Sequence, residues 1–325
     1  MPRRRRHRGK SSSANSPPCC KCPILARPNC KHPNSPEQFR QHFESALMSS
    51  PEICDLLISM CVAAAKLNRL SGFFPELYIN SDFFSSPSVM QSDHRIADVL
   101  DRLCPTVRMM VDLAREMALY DTLLQLDPLL PHILQWIITS HKGEIRMLHD
   151  SECFRQINAS HQFVLMKSHP DKEARFQDSV RRANSLHGHV FQYAFHGSPR
   201  GNWHSIIRQG LKDMRKHTKP LTRGVFPGVF LAPSMVTSRY YAAPTPSSAP
   251  GWSNSIYGKS WVLLALCELA DVGHLQRPTF CWVVPQEERI VTRYLFMFEE
   301  MALTFHKEVI VDERFLSSIA ARRSR

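Results

Sequence analysis

A chain of 325 residues with 43% hydrophobic residues is long enough to bury one large core or two smaller ones. Its formal net charge of +12 is concentrated in the first 35 residues, which contain nine Lys or Arg and no acidic residue, so the remainder carries only +3. A near-neutral body argues against a protein that binds nucleic acid along a basic stripe. The lack of a long apolar run or a signal-peptide pattern argues against a membrane protein, and we expect a soluble one.

Residues 1–35 have the composition of a disordered basic tail. The run from Arg3 to Arg6 is followed by Ser- and Pro-rich sequence, which cannot bury enough apolar surface to fold alone. Such a run is typical of a nuclear address, a transit peptide or a weak phosphate-binding arm, and equally of a plain solvated tail. We therefore expect a cytoplasmic or nuclear protein whose contact with nucleic acid is weak and confined to this tail.

The cysteines fall into two groups. Those beyond the tail stand singly in apolar segments, as at Cys54, Cys61 and Cys104, which is typical of reduced, buried thiols rather than disulfides. The tail holds a cluster of side chains that can bind zinc: Cys19, Cys20, Cys22, Cys30 and His32. Because one residue separates Cys20 from Cys22 and Cys30 from His32, the spacing is tighter than the usual C-x2-4-C of a structural zinc site. We therefore expect no metal.

Residues 36–185 are predicted to be mainly helical. Phe39, Phe43 and Leu47 recur at helical spacing, and an apolar stretch follows over 53–67. Further helices are predicted over 109–119, over 124–138 with interruptions at Pro128 and Pro131, and over 172–186. No catalytic pattern is visible here, so this region could cover or orient the domain that follows, or bind a partner of its own.

The hydrophobic pattern changes from helical to strand-like near residue 186. Segments rich in β-branched and aromatic residues are separated by short helices and by a Pro- and Ser-rich surface loop at 245–255, so the sheet should be largely antiparallel. The predicted strands cover 190–195, 228–232, 261–267, 280–284 and 290–298. We predict an α+β fold with a helical region at 36–185, a β-sheet domain at 186–312 and a basic tail at 313–325.

A first candidate unit stands where the first predicted strand ends. It contains His196, Gly197 and Ser198, and a glycine at such a position lets the backbone approach a ligand closely. Asn202 is a suitable N-cap for a helix over 203–209. Strand, polar turn and short helix therefore form one candidate binding unit.

A second candidate unit follows the strand predicted at 228–232. Ser234 can cap a helix that carries Ser238 and Tyr241. Because the latter two are three residues apart, they share one helical face and present a hydroxyl beside an aromatic ring, as an aromatic amide such as nicotinamide would require. Neither unit is specific by itself.

Taken together, the two units and the strands after them resemble the poly(ADP-ribose) polymerase superfamily over roughly residues 188–300. Phe195-His-Gly-Ser198 with Asn202 is similar to the first NAD-binding segment of that family, and 228–241 is similar to the second. The segments similar to its closing strands are 261–268, 281–285 and 292–298. The resemblance is closest to members that lack a catalytic glutamate, the paralogue pair numbered six and eight.

The resemblance implies a split, mostly antiparallel sheet with NAD in the cleft between its halves. His196 would donate a hydrogen bond to the adenosine ribose. The Gly197 backbone and the Ser238 hydroxyl would hold the nicotinamide carboxamide, and Tyr241 would stack on the nicotinamide ring. Two further residues would line the same cleft: Ser198 and Asn202.

The catalytic His, Tyr and Glu of that family correspond here to His196, Phe230 and Cys281. Phe230 keeps an apolar wall but lacks the phenol hydroxyl, and a hydrogen bond of that kind contributes about 0.5–1.5 kcal/mol. Cys281 cannot replace the glutamate that serves as the base for chain growth in polymerising members. Its residue type is more typical of a small buried strand residue than of a catalytic group.

The resemblance therefore implies an NAD-dependent glycosyltransferase that transfers one ADP-ribose (a pentosyl transfer) to a protein side chain and releases nicotinamide. NAD is the co-substrate, and proteins are the acceptors. Positioning and electrostatics can catalyse the step through an oxocarbenium-like ribose without a protein nucleophile. The alternative is an inactive module of the same fold that acts through partners, because two motif positions are changed. The lack of a G-x-S-x-G elbow excludes a typical serine hydrolase.

Overall fold

The computed structural model describes residues 36–70, 89–187, 192–213, 227–242, 250–270, 281–299 and 308–323. The predicted tail at 1–35, with its cysteine and histidine cluster, lies outside these residues, as does the start of the strand predicted at 190–195. Residues 34–325 form one compact unit that contains both the helical region and the sheet.

The N-terminal part of this unit is helical, as predicted. Its helices are α1 (Pro36–Ser49, with a π-helical stretch over Arg40–Glu44), α2 (Pro51–Lys66), α3 (Val89–Leu103), α4 (Val107–Arg115), α5 (Leu119–Leu126) and α6 (Leu130–Thr139). The residues that predict α1 by their spacing, Phe39, Phe43 and Leu47, are all fully buried. The helix predicted over 109–119 is interrupted, because Met117 adopts a positive φ of 57° between α4 and α5.

Two antiparallel sheets follow, which confirms the predicted α+β architecture. The strands are β1 (Glu144–Met147), β2 (His161–Lys167), β3 (Gln192–Gly197), β4 (Val229–Leu231), β5 (Trp261–Leu269), β6 (Trp282–Val284) and β7 (Ile290–Glu299). The larger sheet has the order β1-β2-β7-β5-β3, and β4 pairs with β6 in the smaller one. Four helices accompany the strands: α7 (Pro170–His187), α8 (Trp203–Gln209), α9 (Met235–Ala242) and α10 (Glu313–Arg323).

The larger sheet is buried on both faces, which explains the unbroken apolar run of β5. Alternate side chains of a strand point to opposite faces. Leu263, Ala265 and Cys267 pack with the N-terminal helices, whereas Leu264 and Leu266 pack with α10 on the other face. The sheet is therefore the layer that joins the helical region to the rest of the unit.

Strands β1 and β2 lie inside the range 36–185, which the sequence pattern predicts as helical. They are paired with each other, and β2 is paired with β7, so the sheet begins before residue 186. The sequence reasoning missed them because β1 has only four residues and both strands contain polar or charged residues that interrupt the apolar pattern.

Residues 313–323, predicted as part of a basic tail, form helix α10 instead. Phe315 and Ile319 are buried in the core, and the Phe315 ring stacks on Phe154 at a centroid distance of 5.4 Å. Arg314, one of the cationic residues that suggested a tail, is exposed, which is how the polar side of an amphipathic helix ordinarily meets solvent.

The end of the loop predicted at 245–255 is likewise anchored. Residues 250–255 have no regular secondary structure, but Trp252 is fully buried, and its indole Nε1 donates to the Leu100 carbonyl at 2.9 Å. Asp55 of α2 accepts hydrogen bonds from the Ser255 hydroxyl and from the Ile256 amide. These hydrogen bonds therefore connect the segment before β5 to helices α2 and α3 of the helical region.

Among the described helices, none is by itself long and apolar enough to cross a membrane. The pair α1 and α2, bent by 110° at their junction, meets the length and composition criteria only when taken together.

Candidate functional site

The two candidate units meet where β3 runs beside the end of β4. The Phe195 amide donates to the Ala232 carbonyl at 2.7 Å, and the Ala232 amide donates back to the Phe195 carbonyl at 2.9 Å. This single bridge connects the larger sheet to the smaller one. The residues that follow each strand therefore lie next to each other at the junction of the two sheets, where the resemblance implies the NAD cleft.

His196 is held at this junction by a main-chain contact. Its Nδ1 lies 2.9 Å from the Phe230 carbonyl oxygen. Because a carbonyl oxygen only accepts, Nδ1 must carry the proton and donate it. Burial lowers the pKa of His196 from its usual value near 6.5, although the hydrogen bond to Phe230 opposes this shift. The ring is therefore neutral at pH 7, with Nε2 as a free acceptor.

This geometry bears on the direction of the hydrogen bond that is expected of His196, and the expected contact itself stays a prediction. The resemblance implies that His196 donates a hydrogen bond to a ribose, but the neutral ring with its proton on Nδ1 has no second proton to donate. At Nε2 the imidazole accepts a hydrogen bond, so a ribose hydroxyl would be the donor. The histidine side chain could still bind the same group, with the direction of the bond reversed.

Gly197 brings the first unit into contact with the second. A Cβ added to Gly197 would lie 1.7 Å from the Ser238 carbonyl oxygen and 3.2 Å from the Ala242 amide nitrogen, which are impossible contacts for any other residue. Ser238 is only 2% exposed. The close approach at Gly197 is made to the main chain of helix α9, and it sets Gly197 beside Ser238; the approach to a ligand stays a prediction.

Helix α9 begins as predicted, at a serine cap. The Ser234 hydroxyl accepts a hydrogen bond from the Thr237 amide at 3.1 Å, which satisfies one of the free N–H groups of the first turn. Ser238 faces Gly197, whereas Tyr241, one turn later, is 51% exposed. A buried hydroxyl and an accessible aromatic ring are thus arranged along the same helix.

Ser198 and Asn202 are joined to each other and to the helical region. The Asn202 amide nitrogen donates to the Ser198 hydroxyl at 2.8 Å, and its oxygen accepts a hydrogen bond from the Arg69 guanidinium. Asn202 is the N-cap residue of α8, as predicted, but its side chain makes no cap hydrogen bond, and a 3-10 turn over Arg200–Asn202 precedes the helix. The side chain instead connects Ser198 to Arg69.

Phe230 and Cys281 have different environments. Phe230 pairs with Val283 across the smaller sheet, and its ring is 39% exposed, so an aromatic surface faces solvent next to His196. Cys281, just before β6, is 4% exposed, and burial raises the pKa of its thiol. A protonated thiol is a poor base, which agrees with the expectation of a small buried strand residue.

A carboxylate that the sequence reasoning did not single out lies at the start of α9. Glu308 accepts a hydrogen bond from the Ser234 hydroxyl at 2.8 Å. The chain after it is fixed by main-chain hydrogen bonds, from the Met235 amide to Val309 and from the Val311 amide to Pro233. The β-branched residues Val309, Ile310 and Val311 could have indicated an extended segment, but a contact between residues 74 positions apart cannot be read from the sequence.

The described cysteines carry no disulfide or metal. None of the six forms a disulfide, and burial raises the pKa of Cys54 and of Cys61 to about 12, so both are thiols. Over the described ranges, no group of three or more His, Cys, Asp or Glu side chains could hold a metal ion.

Comparison with known families identifies the part of the chain that carries this cleft. The family model described as the poly(ADP-ribose) polymerase catalytic domain matches residues 158–314. The matched range begins before β2 and ends at the start of α10, so it contains both candidate units and all strands of the larger sheet except β1.

Individual relatives support the same comparison. Two proteins named protein mono-ADP-ribosyltransferase PARP8, one from Homo sapiens and one from Mus musculus, are each 28% identical to this chain over 284 residues. The similarity covers 78% of this chain but 32% of each relative. The chain thus spans about a third of the length of the curated relatives that it matches.

Proposed function

Because residues 158–314 belong to the poly(ADP-ribose) polymerase catalytic-domain family, we propose that the protein is an NAD-dependent mono-ADP-ribosyltransferase. It would transfer one ADP-ribose from NAD to a protein side chain and release nicotinamide. The name shared by the two relatives supports the proposal, and NAD and protein acceptors are its binding partners.

The observation that carries the proposal is the apposition of Gly197 and Ser238. The Gly197 backbone lies directly against the Ser238 main chain, which brings together the two residues that would hold the planar carboxamide. Tyr241 would stack on the nicotinamide ring, and neutral His196 would accept a hydrogen bond from a ribose hydroxyl. Phe230 adds an exposed aromatic surface beside His196.

Breaking the glycosidic bond of NAD leaves positive charge on the ribose. A fixed negative group near that charge lowers the barrier, because its interaction is stronger in the transition state than in the ground state. Glu308, held by Ser234 at the start of the helix that carries Ser238, is the group we propose for this role. No covalent bond to the protein is needed, and the acceptor side chain attacks the ribose carbon as nicotinamide departs.

A second candidate function is a module of the same fold that binds partners without catalysis. The buried thiol of Cys281, at a position where the resemblance implies a glutamate, favours this alternative because it cannot act as a base at neutral pH. NAD binding alone does not separate the two functions, whereas release of nicotinamide does.

The test is incubation of the full chain with labelled NAD, in which nicotinamide release, protein labelling and the NAD-induced shift of the melting temperature are measured. We expect all three in the wild type and their loss in His196→Ala. The matched control is His149→Ala, which changes an exposed histidine outside the cleft. A melting shift without label would support the binding module, and the absence of both would contradict any NAD-dependent function.

A further inference from the structure

The main chain at Arg69, just after the C-terminal end of α2, is held in a fixed conformation. Asn68 adopts the left-handed conformation with a φ of 52°, its amide donates to the Ala65 carbonyl, and the Arg69 amide donates to the Ala64 carbonyl, both at 3.0 Å. This pair of hydrogen bonds is the Schellman motif, which satisfies the last carbonyls of a helix. The next residue, Leu70, is fully buried, and its amide donates to the buried Asp93 carboxylate. Arg69 is thereby fixed on both sides.

The turn that follows β3 packs closely on the same end of α2. A Cβ on Gly201 would lie 2.6 Å from the Leu67 side chain and 3.1 Å from the Ala63 carbonyl oxygen. Glycine permits this approach without displacing the Leu67 side chain, and the approach puts the neighbouring Asn202 within reach of Arg69. Backbone packing therefore holds the two hydrogen-bond partners together, although they are 133 positions apart in the sequence.

In the series of hydrogen bonds from Arg69 through Asn202 to Ser198, each residue donates to the next. A guanidinium can only donate, so the Asn202 atom that faces Arg69 must be the carbonyl oxygen, and the Asn202 NH2 group must face Ser198. The Ser198 hydroxyl oxygen accepts from that NH2 group at 2.8 Å. Its own hydrogen remains available to a group in the cleft. The charge on Arg69 strengthens the first bond and polarises the second.

We propose that Arg69, from the helical region, is a positioning residue for the NAD site: through Asn202 it orients the Ser198 hydroxyl as a hydrogen-bond donor toward an oxygen atom of NAD. The inference rests on the proposed function, since it assigns the polarity of one contact in that site. It also gives the helical region a part in the binding of NAD, because the matched catalytic domain at 158–314 does not contain Arg69.

The test compares NAD kinetics of the full chain in the wild type, Arg69→Ala, Arg69→Lys, Ser198→Ala and the double variant. We expect Arg69→Ala to raise the KM for NAD about five- to tenfold, the range of one lost hydrogen bond, with kcat changed less than about twofold. Arg69→Lys, which keeps a charged donor, should recover part of the loss. In the Ser198→Ala background, Arg69→Ala should have no further effect, because the hydroxyl that it orients is gone.

The control is Arg115→Ala, which removes an exposed arginine of the same region whose salt bridge is with Asp112 of its own helix. It should leave the KM for NAD unchanged. An unchanged KM in Arg69→Ala would overturn the inference while leaving the proposed function intact. If the increase in KM for NAD in the double variant equalled the product of the two single-variant increases, the two residues would act independently, and that result would overturn the inference as well. A wild type that neither binds nor cleaves NAD would overturn the proposed function itself, and the inference with it.

Discussion

The tautomer of the neutral His196 ring is set by its hydrogen bond to the Phe230 carbonyl oxygen. Because the Phe230 carbonyl accepts from Nδ1, the other ring nitrogen accepts in the neutral state, and NAD would meet an acceptor at this position. Residue types and spacing identify a histidine at the end of a strand, but they contain no information about its tautomer. That detail depends on β4 lying beside β3, which sequence reasoning anticipated only through the resemblance.

A pH profile tests the neutral His196. Burial lowers its pKa below 6.5, and only the neutral ring can accept at Nε2, so kcat/KM for NAD should be constant above pH 6.5 and fall as the pH decreases through the lowered pKa. In His196→Gln, the residual activity should lose this acidic limb. An activity that increases as the pH falls below 6.5 would mean that the imidazolium is the active form.

Two positions compete for the role of the acidic group. We expect Glu308→Gln to lower kcat about tenfold or more, with a smaller change in KM, because the carboxylate would act mainly on the charge of the transition state. Cys281→Ser should change kcat less than about twofold, since a buried thiol of raised pKa contributes no charge.

The control for this pair is Glu116→Gln, which neutralises an exposed carboxylate at the end of α4 and should have no effect. An inactive Cys281→Ser together with an active Glu308→Gln would reverse the assignment and make the thiol the functional group.

Elements with a strong hydrophobic pattern were predictable from the sequence, and marginal ones were not. Strand β5 is buried throughout and β7 is buried at every residue except Glu299, so their apolar and β-branched runs predict buried strands clearly. Strand β1 lies at an edge of the sheet, and the contacts that make it a strand come from β2 rather than from its own residues. Helix α10 was not predicted, because its arginines suggest a basic tail and only Phe315 and Ile319 indicate which side is buried.

Helix α10 contributes to the core beneath the site. The Phe315 ring packs against Phe154 and lies 5.9 Å from Phe195, the residue before His196. Phe315→Ala should lower the free energy of unfolding by about 3–5 kcal/mol, the usual cost of a large cavity. Chemical denaturation measures the loss, and the exposed neighbour Arg314→Ala should have little effect. A loss below about 1 kcal/mol would mean that α10 does not pack on this sheet.

At the scale of the whole molecule, the helical region and the sheet share one core. The helices pack on one face of the sheet, Trp252 is buried against α3, and Asp55 of α2 binds the loop before β5. The region whose role could not be read from the sequence is therefore part of the folded unit that carries the site. Its most direct contact with that site, from Arg69 to Asn202, joins residues too distant in sequence for any local pattern to reveal.

This arrangement predicts a single cooperative unfolding transition for residues 36–323. Because the apolar faces of the helices are covered by the sheet, neither part should remain folded when the other melts. Differential scanning calorimetry of the full chain should give one peak, and Trp252→Ala should move that peak to lower temperature without splitting it. Two separable transitions would show that the helical region is an independent domain.

The measurement that most directly tests mono-ADP-ribosylation is mass spectrometry of acceptor peptides after prolonged incubation with NAD. The account predicts that each modified side chain carries one ADP-ribose at every time point, because the Cys281 thiol cannot provide the base for chain growth. It further predicts that His196→Ala yields no modified peptide. A ladder of successive ADP-ribose units on one side chain, or modification that persists in His196→Ala, would contradict it.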